Sequence, residues 1–258
     1  MKVVLISDTH NRHKHLSTKG LGPILPEGDL LIHSGDFTGT GQKGEVESFI
    51  KWLVEQSKNY TYGAIFIAGN HDRSFDTRFF KEYENYDFWD AETYQKKPSW
   101  LYSILSTLKF NTPGVTYLEN EEVVINGYRI WGSPVTPWFH GDRWAFNKHR
   151  GSEINEVWNQ IPQDTDIVVT HGPVAYRLDY IPRSQEYVGC EDLRKAVQRI
   201  KPMLHVSGHI HESYGIERGQ DTLYVNASIC NAAYVPENKP IVVELSKEEE
   251  PKIIYDGK

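Results

Sequence analysis

Seven side chains of kinds that hold divalent cations stand in short clusters along this sequence: Asp8-x-His10, Asp36 behind Gly35, Asn70 behind Gly69, His171 before Gly172, and His209-x-His211 behind Gly208. Carboxylate oxygen, amide oxygen and imidazole nitrogen suit Mn²⁺, Fe, Co²⁺, Ni²⁺ or Zn²⁺, with manganese the favoured expectation. One ion takes about four to six ligands. Seven therefore exceed one site and suit two divalent metal ions that share a carboxylate. Asp36 is the candidate bridge, able to hold two ions roughly 3.5–4 Å apart, the separation used for in-line displacement at phosphorus. The D-x-H and H-x-H spacings project two side chains to the same side of a strand end. Cys190 and Cys230 form no C-x-x-C pair and cannot build a disulfide framework.

Each cluster closes a short apolar run. Val3–Ile6 runs into Asp8, Leu30–His33 into Asp36, Ala64–Ile67 into Asn70, Ile167–Val169 into His171, and Met203–Val206 into His209. Such β-branched runs, bounded by Gly and polar residues, predict buried strands. In open α/β sheets, ligands gather beyond the carboxyl ends of the strands. Between the runs, Val46-Phe49-Ile50-Leu53, Ile154-Val157-Trp158-Ile161 and Leu193-Ala196-Val197-Ile200 keep the i, i+3, i+4, i+7 spacing of helices packed on a sheet. From about residue 212 the pattern changes to short strands at Tyr214–Glu217, Thr222–Asn226 and Ile241–Leu245, expected as an antiparallel meander. The expected fold is α/β: two sheets packed face to face with helices outside and the ligand loops along one rim. No linker or repeat divides residues 1–258, so one domain is expected. Glu248–Glu250 reads as a solvated face.

Composition narrows the function. Hydrophobic residues make up 39% and charged residues 24%, which supports a real core and excludes intrinsic disorder. Against 28 Lys+Arg stand 35 Asp+Glu, a net charge of −7, which disfavours nucleic acid and anionic membrane as partners. The apolar run at the start is too short for a signal peptide or a spanning helix, so a cytoplasmic protein is expected.

The set Asp8-x-His10, Gly35-Asp36, Gly69-Asn70-His71-Asp72, His171 and Gly208-His209-x-His211 resembles the calcineurin-like metallophosphoesterases. Within that superfamily, residues 132–147, Thr170–Pro173, Val188–Cys190 and Tyr224–Ser228 look like the metallophosphoesterase-domain-containing branch known from animal brain. The resemblance runs from residue 3 to about 245. It implies a four-layer αββα sandwich. It also implies a first metal on Asp8, His10, Asp36 and His211, and a second on Asp36, Asn70, His171 and His209. Some animal members of the branch carry glycine where this chain has His209, which weakens their second site; the full set here implies a competent enzyme.

Two ions facing a phosphate would make hydroxide available near neutral pH, orient phosphorus and neutralise its oxygens. His71 is then expected as general acid or electrostatic stabiliser at the leaving oxygen, with Asp72 orienting it through the other ring N–H. Arg12 and His13 are candidates to reach a phosphate oxygen. Trp138 and Phe139 are the best substrate contacts in two aromatic stretches, Phe75–Tyr102 and Trp131–Phe146, which otherwise read as a packed cap or the face of a homo-oligomer. His33 and His205 are expected to be buried and hydrogen-bonded, His140 and His149 on the surface, and Asn226 and Ser228 to brace a ligand loop. The expected function is hydrolysis of a small phosphoester substrate, a phosphodiester of nucleotide or cyclic-nucleotide type. A phosphomonoesterase and a non-catalytic metal-binding scaffold are the alternatives.

Overall fold

The computed structural model describes residues 1–17, 24–77, 99–111, 114–141 and 143–255. β1 (Lys2–Ile6), β2 (Leu30–His33), β3 (Ala64–Phe66) and β4 (Val115–Tyr117) pair in parallel, with helix α1 (Lys43–Ser57) crossing between β2 and β3 and the helix Ser99–Asn111 leading into β4. The chain then enters a second sheet through the hairpin of β5 (Glu121–Ile125) and β6 (Tyr128–Ser133). Its two-residue turn is Asn126-Gly127, both left-handed at φ +49° and +77°, as the twist of such a hairpin requires. β7 (Thr136–Pro137) and β8 (Asn147–Lys148) pair locally, β9 (Ile167–Thr170) joins β6 in parallel, and β10 (Tyr180–Ile181) and β11 (Glu186–Tyr187) form a short hairpin. β12 (Leu204–Ser207), β13 (Gly215–Arg218) and β14 (Leu223–Asn226) complete the second sheet, and β15 (Ile241–Glu244) and β16 (Lys252–Tyr255) return to the first. The orders are β16-β15-β1-β2-β3-β4 and β13-β14-β12-β9-β6-β5.

Alternation along the strands builds the layers. Val3 and Leu5 of β1, Ile32 of β2, Ile167 and Val169 of β9, and Leu204 and Val206 of β12 meet in one buried cluster between the sheets. Their neighbours point the other way: Val4, Ile6 and Leu31 onto Val46, Phe49 and Leu53 of α1, and Val168 onto the helices Ser152–Trp158 and Glu191–Ile200. A strand buried on both faces reads as a continuous apolar run, as these do. The result is the expected sandwich of two mixed sheets between helix layers.

One expectation fails. The last strands are not a meander. Of the three expected strands only β13 and β14 pair with each other, antiparallel; β14 runs parallel to β12, and β15 crosses to the first sheet, where it pairs antiparallel with β1 from Lys2↔Glu244 to Leu5↔Ile241. Alternation fixes which faces of a strand are buried but not its neighbour, and the open edge of β1 recruits β15. Of the stretch Phe75–Tyr102, residues 78–98 lie outside the described residues. Among the described residues, no helix is long and apolar enough to cross a membrane.

Candidate metal centre

The loops that follow β1, β2, β3, β9 and β12 meet at one rim. Oxygen and nitrogen atoms of Asp8, His10 and His211 lie within 4.8 Å of one another, as do those of Asp36, His171 and His209. Two contacts at 3.2 Å tie the sheets together: Asp8 Oδ1 to His211 Nε2 and Asp36 Oδ2 to His171 Nε2. His10 Nε2 sits between the carboxylates, 3.9 Å from Asp8 Oδ1 and 3.8 Å from Asp36 Oδ2. Asn70 Oδ1 is 3.0 Å from His171 Nε2. All seven expected ligand side chains are thus brought together.

The backbone bends sharply to achieve this. Asp8, His10, Asp36 and His209 have φ of +50°, +39°, +55° and +68°, a left-handed conformation that costs of order 1–3 kcal/mol per residue and persists only where its surroundings enforce it. Hydrogen bonds between the loops do so: Asp8 N–H donates to Gly35 O, His10 N–H to Asp36 O, and His209 N–H to the Asp8 carboxylate. Gly208 lies so near that a methyl group there would stand 2.0 Å from Asp8 Oδ2, and one on Gly69 would stand 2.3 Å from Asp36 Oδ1.

Three imidazoles are fixed from behind. Nδ1 of His10, His171 and His211 lies 3.2, 3.0 and 2.9 Å from the carbonyl oxygens of Thr38, Ser34 and Asn231. A carbonyl can only accept, so Nδ1 carries a proton and Nε2 points into the centre, the atom left to bind a metal. His10 Nε2 and His211 Nε2 then face each other at 3.2 Å. Two lone pairs at that distance repel, and a cation between the carboxylates resolves the conflict. The donor set therefore fits divalent metal.

Electrostatics divide the ligands. Burial pushes His10 down to about 4 and His209 to about 3, which keeps both neutral. Burial also opposes charge on His171, but the Asp36 carboxylate beside it lifts it to about 9, so its Nε2 carries a proton toward Asp36 that a bound cation would displace. Burial would raise Asp8, yet the hydrogen bond to His211 and the charges of His211 and His171 together outweigh this and hold it well below the usual carboxylate range.

Supporting groups surround these ligands. Ser228 Oγ donates to Asp8 Oδ2 at 2.9 Å, while Asn226 Oδ1 accepts from Ser228 N–H at 3.1 Å and its Nδ2–H donates to Ile210 O at 2.8 Å, the expected bracing. His33 and His205 are buried; their Nε2 atoms meet Thr9 Oγ1 at 3.0 Å and Thr170 Oγ1 at 2.9 Å. His140 and His149 are exposed.

The ring of His71 stands at the rim, 4.6 Å from that of His10, and its Nδ1 lies 2.7 Å from Gly39 O. Asp72 does not orient it. The Asp72 carboxylate turns inward and accepts from Thr38 N–H, Thr38 Oγ1–H and Gly69 N–H at 2.7–2.9 Å, bracing the loops after β2 and β3. Burial and the charge of Asp36 push it up to about 8. The Gly39 carbonyl holds the imidazole instead. His13 is a second correction: it is buried in the helix layer, with Nε2 3.2 Å from Ser48 Oγ and its ring against Phe49 and Trp52, because a short 3₁₀ turn carries it away from the rim. Arg12 is exposed. Trp138 and Phe139 line a cleft of ≈ 490 Å³ together with Pro173, Tyr187 and His209, and the Phe139 ring is 4.9 Å from that of His209.

Two site residues escape sequence reasoning. The Trp144 ring covers His71 at 4.4 Å. The Tyr234 ring stands 4.7 Å from His10 and 5.2 Å from His211, on a left-handed backbone at φ +59°. Trp144 belongs to the quoted 132–147 segment and was findable there; Asn231–Tyr234 carries no ligand pattern.

Two mixed sheets with helices outside and imidazoles facing carboxylates across one rim define a metal-dependent phosphoesterase arrangement. The chain belongs to the calcineurin-like phosphoesterase family, whose profile matches residues 1–213. It is 43% identical over 245 residues to human metallophosphoesterase domain-containing protein 1, covering 95% of this chain and 71% of that protein. It is 33% identical over 247 residues to UPF0046 protein K07C11.7 of Caenorhabditis elegans, covering 96% and 76%. The resemblance to the metallophosphoesterase-domain-containing branch is thereby borne out. The fold is similar to that of the phosphopantetheinyl hydrolase PptH of Mycobacterium tuberculosis, with TM-score 0.57, 13% identity and 90% of each chain covered.

Proposed function

We propose that this chain is a cytoplasmic, single-domain phosphodiesterase that uses two divalent cations, manganese foremost, on small diesters of the nucleotide or cyclic-nucleotide type. One observation carries this: carbonyl-backed His171 and His211 aim Nε2 from one sheet at the buried carboxylates of Asp36 and Asp8 on the other, and carbonyl-backed His10 sits between those carboxylates. Asp8, His10, Asp36 and His211 would hold one cation, and Asp36, Asn70, His171 and His209 the other. When bound, the cations would neutralise the phosphoryl oxygens and supply water acidic enough to attack phosphorus near neutral pH.

The remaining work falls to the chain. As the water oxygen bonds to phosphorus, the bond to the leaving oxygen breaks, and that oxygen must gain a proton. His71, its Nδ1 held by Gly39 O, has Nε2 left to deliver it. Trp138 and Phe139 offer aromatic faces on which a nucleobase can stack. The test is a screen of protein stripped of metal and reloaded with Mn²⁺, Fe²⁺, Co²⁺, Ni²⁺ or Zn²⁺ against monoesters, diesters, and 2′,3′- and 3′,5′-cyclic nucleotides. Diester hydrolysis that depends on metal is the expected result. Turnover of monoesters alone, or protein that binds no cation, would overturn it.

A further inference from the structure

Tyr234 presents three observations that its neighbours do not share. Its backbone is left-handed at φ +59°, an unfavourable conformation for an aromatic residue, yet its side chain is 45% exposed, so the strain does not serve a core. Its ring meets three rim imidazoles: His10 at 4.7 Å, His211 at 5.2 Å and His71 at 6.1 Å. The loop that carries it is fastened to a candidate ligand, because Asn231 O accepts from Tyr234 N–H at 2.8 Å and also backs His211 Nδ1 at 2.9 Å. Asn231 Oδ1 further accepts from Ala233 N–H and Val235 N–H, which sets the turn.

The opposite flank is built differently. Phe139 edges onto His209 at 4.9 Å and stacks at 6.1 Å with Trp144, which covers His71. Beyond them opens the ≈ 490 Å³ cleft, whose lining includes His209 but neither His10, His71 nor His211. A phosphodiester has two organic arms, and here they meet unlike surfaces: a cleft beside His209 and a single half-exposed ring beside His10. His71 does not line the cleft: its ring stands 4.6 Å from His10 and 6.1 Å from Tyr234, with the Trp144 ring 4.4 Å from it. The proton must reach the oxygen that leaves, so the leaving alcohol belongs on the side of His71 and Tyr234.

We propose that Tyr234 is a specificity-determining residue that walls the flank from which the leaving alcohol departs, while the cleft beside His209 holds the arm that stays on phosphorus. This rests on the phosphodiesterase function proposed above. One water is consumed: its oxygen bonds to phosphorus, the phosphorus bond to the alcohol oxygen on the Tyr234 side breaks, and that oxygen takes up a proton. The product phosphomonoester keeps the arm in the cleft.

The test compares wild type with Tyr234→Ala and Tyr234→Phe on two series of diesters. One series keeps a methyl arm and varies the aryl leaving alcohol in bulk at matched acidity; the other keeps 4-nitrophenolate as leaving group and varies the retained arm from methyl to phenyl to a 5′-nucleoside. Tyr234→Ala is expected to shift relative kcat/KM across the first series by roughly tenfold and to leave the ranking across the second intact. Tyr234→Phe keeps the ring and should restore the wild-type ranking. Titration calorimetry with inorganic phosphate, which has no arm, should give the same Kd in all three proteins. Should the alanine variant fail to fold, Tyr234→Leu replaces it. An unchanged first ranking, equal shifts in both series, or a parallel loss of phosphate affinity overturns the inference while the phosphodiesterase function stands. A metal-loaded wild type that hydrolyses no diester overturns both.

Discussion

The two sheets bring unlike chemistry to the rim. The first contributes both carboxylates, Asp8 and Asp36, with His10 and Asn70; the second contributes imidazoles only, His171, His209 and His211. Their backbones differ as well, since three of the four residues from the first sheet are left-handed and only His209 is from the second. Yet the outer support is matched: His33 meets Thr9 on the helix side of the first sheet, and His205 meets Thr170 in the equivalent place on the second. The lesson is that neither sheet makes a site alone. Carboxylates sit on one half and only imidazoles on the other, so packing of the sandwich and assembly of the centre are one event.

Substitutions on each half test this division. Asp36→Asn should be the most damaging, because it removes the carboxylate that contacts both His10 and His171. Metal content should fall from two ions, and turnover should drop by more than the roughly 100-fold that loss of a supporting group costs. His209→Ala should remove one ion only; equal losses in the two variants, read by elemental analysis, would erase the asymmetry. Next comes His71→Ala, expected to lower kcat by about 10²–10⁴-fold with metal content intact, and by less on 4-nitrophenyl esters, whose leaving group needs no proton. Equal loss on alkyl and aryl esters would remove its acid role.

Ser228→Ala acts through Asp8, whose Oδ2 it contacts at 2.9 Å. Metal affinity should weaken by about 10- to 100-fold, read by competition with a chelating dye. The smallest effect concerns the matched supports. Burial pushes His205 from 6.5 down to about 3. The unfolded chain therefore takes up this proton first as pH falls, so stability is full above 6.5 and declines below it, by about 1.4 kcal/mol per pH unit. His33, lowered by burial to about 3, should behave alike. His205→Gln should flatten the slope of denaturant stability between pH 6.5 and 5 by one proton, and an unchanged slope would show that this histidine is not held neutral.

Much of this was legible beforehand. Five strands and the ligands that close them follow from apolar runs ending in Asp, Asn or His, since a parallel strand buried on both faces leaves no other pattern. What stayed hidden depends on contacts distant in sequence. Ile241–Glu244 announces a strand, but its pairing with β1 is decided by an open edge some 240 residues earlier. Asp72 looks like a partner for its neighbour His71; its true partners are backbone N–H groups on Thr38 and Gly69, which no side-chain pattern reveals. His13 follows a ligand motif, yet one tight turn rotates it onto Phe49 and Trp52. Tyr234 carries no signal because its importance lies in where the chain returns.

His10 and His211, whose Nε2 atoms nearly touch, are 201 positions apart. During synthesis the amino-terminal half of the centre emerges long before its counterpart, so a growing chain exposes acidic loops that cannot yet clasp an ion. Cation capture thereby becomes a timestamp of completed assembly: a product cut short before Gly208 retains five of the seven ligands and lacks His209 and His211, one from each ion's set.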